Sequence, residues 1–330
     1  MKKKILFFIT IVGIFGVATA QNPSFQQQIK DYKLPELRWR DMCILPDPAT
    51  HTYYIVGPGG RGVRAYTSKD LKTWTGPQII YSAPQDVWGE IPITSIWAPE
   101  MHLYKSKYYL FLTFDSRNRF REQWRDWLPR VTRGSQILVS DTPAGPFTAF
   151  QNHSTLPVDM MTLDGTLWVE DGIPYMVYCH EWVQISDGGV EYVQLKDDLS
   201  ETAGEPKRLF RGSQAPWGRI SDTYGCYVTD GPFLYKGKTG KLYMIWTSGG
   251  KEGNAMGIAI SESGRLAGPW KQQEEPVYNA NGGHGMLFKS FDGKLMLLLH
   301  SPYNGDTRPH LFEMEDTGET LKIIKEVTGN

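Results

Sequence analysis

The sequence repeats an apolar, aromatic segment that has the length of one buried β-strand. The clearest copy covers residues 241–248 and follows an acid in a Gly-Pro turn at 230–232. Four further copies have a similar composition and lie at residues 53–57, 108–113, 174–180 and 295–300. A repeat with a period of this size predicts a solenoid, a propeller or an array of similar units.

The segments between these strands favour a propeller. They are rich in Gly, Pro, Asp and Ser, which is typical of turns between short strands. A weaker motif with Ser, Asp or Gly and a final aromatic residue follows most copies, at residues 68–74, 140–147 and 261–270, with a looser version at 195–199. About four strands repeated radially form a propeller blade. The five copies therefore predict an all-β, five-bladed β-propeller, with a large β-sandwich as the alternative.

The first twenty residues have the pattern of a secretory signal. Three lysines at 2–4 precede an apolar run at 5–17, and Ala18-Thr19-Ala20 provides small residues for cleavage. The apolar run is short for a membrane span, which disfavours the alternative of an uncleaved anchor. We therefore expect a signal peptide at 1–20, a single catalytic domain at 21–330, and a secreted or periplasmic protein.

The net charge of the chain limits the classes of partner that it can bind. It has 35 basic and 36 acidic side chains, and removal of the signal leaves 32 against 36. Nucleic-acid binding needs concentrated positive charge, so we expect no nucleic-acid partner. We also expect no membrane association and a monomer.

The cysteine count does not indicate a disulfide framework, because three is an odd number for an exported protein. We interpret Cys43, Cys179 and Cys226 as small buried apolar residues, and one disulfide pair remains an alternative. The 11 Trp, 17 Tyr and 14 Phe residues are expected mainly in blade cores, and some have faces that suit sugar rings.

One polar residue precedes the innermost predicted strand of every unit. In chain order these residues are Asp41, Glu100, Asp164, Asp230 and His284. Innermost strands of a propeller run parallel to one another around its axis, so equivalent positions converge at one end of the central channel. The sequence therefore predicts a shared cavity that contains four carboxyl groups and one imidazole.

Such a cluster suits acid–base chemistry. Neighbouring carboxylates shift one another's pKa, and a pair pushed apart supplies one acid and one base, as glycoside hydrolysis requires. Metal binding is the alternative function of the cluster, with His284 as a candidate ligand, although the chain lacks a dense run of calcium-binding aspartates.

A long charged insert at 114–133, with Trp124 and Trp127, is expected to form a wall of a substrate pocket.

The segments that carry these residues resemble glycoside hydrolase family 43, in its secreted bacterial arabinofuranosidase- and xylosidase-like branch. The likeness extends over residues 37–310. Its motifs lie at residues 40–45, 97–100, 163–167, 229–234 and 283–285. The resemblance implies a secreted, inverting hydrolase that acts on α-L-arabinofuranosyl or β-D-xylosyl linkages of plant polysaccharides or oligosaccharides.

The resemblance also implies roles for single residues. Asp41 would be the general base, Asp230 the general acid, and Asp164 the residue that orients the acid and raises its pKa. The family usually has Glu where this chain has Asp230. Glu181, from the neighbouring blade, is therefore kept as an alternative acid.

Four further residues are predicted to bind substrate: Trp97, Glu100, His284 and Arg308. A surface ion pair is the alternative for Arg308. Related proteins often hold a calcium ion or a water near the channel centre, so a structural Ca2+ close to His284 is an option, while no cofactor is required.

Two other functions remain open at this point. The Asp at the acid position also fits a carbohydrate-binding propeller without catalysis. Levanase-like and sialidase propellers are disfavoured, because the chain lacks an Asn-Asp-Pro opening and Asp-box repeats.

Overall fold

The protein is described here by a computed structural model that covers residues 29–328, so the predicted signal peptide at 1–20 lies outside the described residues. Five antiparallel sheets follow one another along the chain and form a ring. This arrangement confirms the predicted five-bladed β-propeller. Between residues 29 and 328, no helix is long and apolar enough to cross a membrane.

The first blade has five strands. They are β1 (Lys30–Lys33), β2 (Cys43–Asp47), β3 (Thr52–Pro58), β4 (Gly62–Ser68) and β5 (Thr73–Ser82). Their spatial order is β1-β5-β4-β3-β2, so β2 is innermost and the N-terminal strand covers the outer edge.

The other four blades have four strands each, which run from the channel outwards in chain order. Blade two contains β6 (Ile93–Tyr104), β7 (Lys107–Ser116), β8 (Gly134–Ser140) and β9 (Thr148–Ala149). Blade three contains β10 (Thr162–Glu170), β11 (Ile173–His180), β12 (Gly189–Gln194) and β13 (Lys207–Arg211). Blade four contains β14 (Asp230–Lys236), β15 (Leu242–Gly250), β16 (Gly253–Ser261) and β17 (Trp270–Gln272). Blade five contains β18 (Gly283–Lys289), β19 (Leu295–Ser301), β20 (Arg308–Asp316) and β21 (Leu321–Glu326).

Within residues 29–328, helical structure is limited to short connections. One α-helix, α1, covers Trp182–Ile185 between β11 and β12, and two 3-10 turns cover Leu34–Glu36 and Gly212–Gln214.

The ring is closed by contacts between the last and the first blade. Inner strand β18 packs against β2. The backbone N–H of Phe291 donates to the hydroxyl of Tyr53 at 2.8 Å, and the ring of His51 stacks on Phe291 with centroids 4.0 Å apart. Arg308 donates to the carbonyl oxygen of Pro35 at 3.0 Å. Side chains rather than a shared strand therefore hold the two ends of the chain together.

The repeated apolar segments are the second strands of the blades. In β19 every residue from Leu295 to Leu299 is buried, and in β15 the same holds from Leu242 to Trp246. Each of these strands has neighbouring blades on both faces, so both faces must be apolar and the hydrophobic residues do not alternate. All three cysteines are free and buried, which confirms their interpretation as core residues.

Candidate active site

All five blades have a residue with positive φ at the start of the inner strand or within it. The values lie between 41° and 56° at Asp41, Ala98, Asp164, Gly231 and His284. In blades two to five the pairing of the inner strand is interrupted around this residue. An irregularity of this kind changes the direction of a side chain relative to its sheet. It explains how three polar side chains leave the blade surfaces and meet.

For two blades, the polar residue predicted from the sequence is not the residue with positive φ. In blade two the residue with positive φ is Ala98, and Glu100 lies two residues after it. In blade four the residue with positive φ is Gly231, and Asp230 lies one residue before it. Glu100 is buried, pairs with His102 at 3.0 Å between Oε2 and Nε2, and does not line the cavity. Side chains switch faces with every residue along a strand, so a small error in register moves a side chain to a different place.

Hydrogen bonds to the neighbouring blade hold three of these strained residues. In each case the backbone N–H donates to a side chain on the second strand of the preceding blade around the ring. The bonds are Asp41 to Nδ1 of His300 at 3.2 Å, Asp164 to Oγ1 of Thr113 at 3.1 Å, and His284 to Oγ1 of Thr247 at 2.9 Å. The site is therefore fixed by contacts between blades.

His284 lies at the centre of the three aspartates. Its Nδ1 is 2.9 Å from Asp230 Oδ1, 3.6 Å from Asp41 Oδ1 and 3.9 Å from Asp164 Oδ2. Asp164 Oδ2 also accepts the backbone N–H of Gly231 at 3.0 Å. A Cβ at position 231 would lie only 3.0 Å from His284, so glycine fits both the positive φ and the limited space.

The buried charges shift one another's pKa. Burial alone would lower the pKa of His284, but the three aspartates raise it to about 10. Burial and the charge of Asp230 raise the pKa of Asp164 well above its usual value. Burial also acts to raise the pKa of Asp230, yet His284 and the hydrogen bond from Asp164 hold it below its usual value. Of this pair, Asp164 therefore binds a proton more readily than Asp230, and Asp230 is the counter-ion of a cationic His284.

Asp41 is held in a different way. Its Oδ2 accepts from Nε of Arg40 at 2.8 Å, and the Arg40 guanidinium lies 4.9 Å from the ring centroid of Tyr303. Its Oδ1 is buried and has no hydrogen-bond partner among residues 29–328. Burial lowers the pKa of His300 to about 4, so this ring is neutral and accepts the Asp41 N–H. One carboxylate oxygen of Asp41 is therefore held by Arg40, and the other, Oδ1, makes no hydrogen bond although it lies 3.5 Å from Nδ1 of His300.

A cavity of about 750 Å³ opens above these residues. Asp41, Asp164, Asp230 and His284 line it together with Trp97. The insert after β7 supplies one wall, which includes the side chains of Arg117, Arg119, Leu128, Pro129 and Val131. The expectation that this insert walls a pocket is confirmed.

Glu181 enters the same cavity from the end of β11. It directly precedes α1, is 4% exposed, and its Oε1 accepts from Nη1 of Arg133. Arg133 also donates to Asp115 Oδ1, at 2.8 Å from Nε and 2.7 Å from Nη2, and its guanidinium lies 4.1 Å from the ring centroid of Trp97. Burial raises the pKa of Glu181 although Arg133 opposes this.

Arg308 does not line the cavity. Besides its bond to Pro35, it donates to Asp306 Oδ2 at 2.9 Å, so it has the structural role that was the alternative for it.

A calcium ion does not fit the cluster well. Asp164, Asp230 and His284 place one ligand atom each within 4.8 Å of one another. Calcium takes six to eight oxygen ligands, whereas this group offers an imidazole nitrogen that already donates to Asp230. We therefore assign no catalytic step to a metal.

The sequence reading missed several residues of the site: Arg40, Asp115, Arg133, His300 and Tyr303. The place of His300 in the site could have been predicted from the repeat. His300 ends the fifth copy at the position that Thr113 and Thr247 occupy in two other copies. No pattern in the sequence predicts that Arg133 pairs with Asp115 and Glu181, because these residues are far apart along the chain.

Comparison with protein families gives a match over most of the chain. The model of Glycosyl hydrolases family 43 matches residues 35–318.

Solved and curated proteins give related matches. The structure of an endo-arabinase from Bacteroides thetaiotaomicron superposes with a TM-score of 0.76 and is 36% identical, covering 89% of this chain and 96% of that one. Alpha-L-arabinofuranosidase B of Pyricularia oryzae is 24% identical over 217 residues, which is 62% of this chain and 42% of the relative. An extracellular exo-alpha-(1->5)-L-arabinofuranosidase of Streptomyces avermitilis is 22% identical over 223 residues, or 63% and 43%. The chain thus spans less than half the length of these two curated relatives.

Proposed function

Since the chain belongs to glycosyl hydrolase family 43, we propose that it hydrolyses α-L-arabinofuranosyl linkages of plant polysaccharides or oligosaccharides with inversion at the anomeric carbon. The observation that carries this proposal is the free Oδ1 of Asp41 in a cavity lined by further buried carboxyl groups. The choice of sugar is supported by the similar proteins, two of which are named arabinofuranosidases and one an endo-arabinase.

In the proposed reaction Asp41 is the general base. Arg40 holds Oδ2, so Oδ1 is the atom that takes a proton from a water molecule as that water attacks the anomeric carbon. A second carboxyl group protonates the departing oxygen, as inversion requires. Asp164 and the ion pair of Asp230 with His284 set the electrostatic field on this side of the cavity.

The reaction class is tested by following products with proton NMR at early times. The panel contains α-linked arabino-oligosaccharides, β-linked xylo-oligosaccharides and the corresponding aryl glycosides. We expect release from the arabinosides with an inverted anomeric centre, and the length of the first products separates exo from endo cleavage. Release from the xylosides alone would overturn the sugar assignment, and a retained configuration would overturn the mechanism.

The role of Asp41 is tested by Asp41→Asn. We expect kcat to fall by about 10,000-fold, because an amide cannot accept the proton of the attacking water. Asp141→Asn is the matched control, since Asp141 is an exposed partner of Lys107 outside the cavity and should leave kcat unchanged. Full activity of Asp41→Asn would refute the assignment.

A binding propeller without catalysis is the competing function. It predicts saturable binding of arabino-oligosaccharides by calorimetry together with no product from the wild-type chain.

We further propose that the chain is exported and acts as a monomer. The signal-like pattern at 1–20 and the extracellular relative support export. Fractionation of expressing cells and light scattering of the purified protein test the two statements.

A further inference from the structure

Two carboxyl groups compete for the role of proton donor, and Asp230 is poorly suited to it. Its Oδ1 accepts a hydrogen bond from His284 at 2.9 Å, and this imidazole carries a positive charge. An aspartate in such an ion pair is held deprotonated, since His284 keeps its pKa below the usual value. A general acid must instead hold its proton until the leaving oxygen takes it.

Glu181 has the complementary properties. It is nine-tenths or more buried and lines the cavity with Asp41. Arg133 holds Oε1, while Oε2 has no hydrogen-bond partner within the described residues 29–328. A buried oxygen without a partner costs free energy, and a hydrogen bond between Oε2 and a bound ligand would recover it.

The arginine beside Glu181 does not force it to ionise. Arg133 makes two of its hydrogen bonds to Asp115 and one to Glu181, so its charge is already balanced by Asp115. A neutral Glu181 leaves the group of three without net charge. Burial raises the pKa of Glu181, and the charge of Asp115 adds to this effect.

The position of Glu181 is fixed by the insert. Trp127 donates from Nε1 to the carbonyl of Val183 at 2.7 Å, and Arg130 donates from Nη2 to the carbonyl of Gln184 at 2.7 Å. Both acceptors lie in α1, which begins directly after Glu181. The insert therefore anchors the helix that places this carboxyl group.

We propose that Glu181, rather than Asp230, is the catalytic proton donor of this chain, with Arg133 and Asp115 as its positioning residues. This inference rests on the proposed function. As the bond from the anomeric carbon to the leaving oxygen breaks, the proton of Glu181 passes to that oxygen. The water oxygen bonds to the same carbon and its proton passes to Asp41. Glu181 is then anionic and Asp41 protonated, and solvent exchange restores both.

The test compares leaving groups of different acidity. Glu181→Gln should lower kcat/KM on an unactivated arabino-oligosaccharide by about 1,000-fold, because the alkoxide leaves poorly without a proton. On para-nitrophenyl α-L-arabinofuranoside the loss should be at most about tenfold, since nitrophenolate needs little protonation. The basic limb of the pH–rate profile should disappear. Glu191→Gln is the matched control, a buried glutamate that bonds Tyr178 and His180 outside the cavity.

A second variant keeps Glu181 intact and guards against misfolding of the first. Asp115→Asn removes a negative charge that raises the pKa of Glu181, so the basic limb should move to lower pH by about half a unit to one unit. A merely structural role of Asp115 would leave the position of this limb unchanged.

The outcomes separate this inference from the proposed function. A basic limb retained in Glu181→Gln, together with a loss in Asp230→Asn that depends on the leaving group, would overturn the inference and make Asp230 the acid. An unshifted limb in Asp115→Asn would count against the positioning role. A wild-type chain that releases no sugar from any substrate would overturn the proposed function and this inference with it.

Discussion

The two histidines at the channel are predicted to differ in charge at neutral pH, with His284 cationic and His300 neutral. The ring centroids of His284 and His300 are 6.2 Å apart. Three aspartates outweigh the burial of His284 and raise its pKa to about 10, whereas burial lowers the pKa of His300 to about 4. At pH 8 an ordinary histidine is about 3% protonated, and His284 should be about 99% protonated.

This charge difference can be measured by NMR of the imidazole nitrogens. The chain contains seven histidines, and the variants His284→Asn and His300→Asn assign the two signals by their loss. We expect the His284 signal to remain that of an imidazolium from pH 5 to 9 and the His300 signal to remain neutral. Asp230→Asn removes the carboxylate 2.9 Å away and should lower the midpoint of His284. A His284 midpoint near its ordinary value would refute the reasoning.

The same shift has a consequence for stability. His284 binds its proton more tightly in the folded state, so its contribution is complete below its unfolded pKa of about 6.5 and is lost as pH rises towards about 10. The loss is about 1.4 kcal/mol for each pH unit in this window. The free energy of unfolding of the wild type relative to His284→Asn should therefore fall by about 2 to 3 kcal/mol between pH 7 and pH 9. Urea unfolding at several pH values measures it, and a constant difference would contradict the linkage.

Two further predictions concern the blades. Gly257→Ala would make a Cβ overlap with the indole of the buried Trp217, which should destabilise the fold by about 3 kcal/mol or more, and a urea midpoint equal to that of the wild type would contradict this contact. Tyr108→Phe removes the hydroxyl that donates to the buried Asp47 at 2.7 Å, so we expect a loss of about 1 to 3 kcal/mol with kcat unchanged. Thermal unfolding and a parallel activity assay check both parts of that statement.

Much of the candidate site was predictable because repeats carry positional information. Asp41, Asp164 and His284 stand at equivalent places in their units, and a propeller brings such places together around its channel. The insert at 114–133 was recognisable by its length and its two tryptophans. The positions of Glu100 and Asp230 relative to the residue with positive φ could not be predicted. The backbone irregularity lies one or two residues away from the polar side chain in these two blades.

The pairs that set the chemistry follow from the three-dimensional structure alone. Arg133 meets Glu181 and Asp115 across 48 and 18 residues of chain, and Asp41 meets His300 across 259. No spacing in the sequence signals these contacts, so neither the shared arginine nor the neutral His300 was foreseen.

The sequence by itself determined the all-β repeat, the number of blades and the family, because apolar periodicity and turn residues act over short stretches of chain. The tertiary structure decided which oxygens are free and which carboxyl group keeps its proton. These properties depend on burial and on the distance to opposite charges, which are set only when five blades pack into a ring. The availability of Asp41 Oδ1 and the ion pair of Asp230 with His284 are therefore properties of the closed propeller.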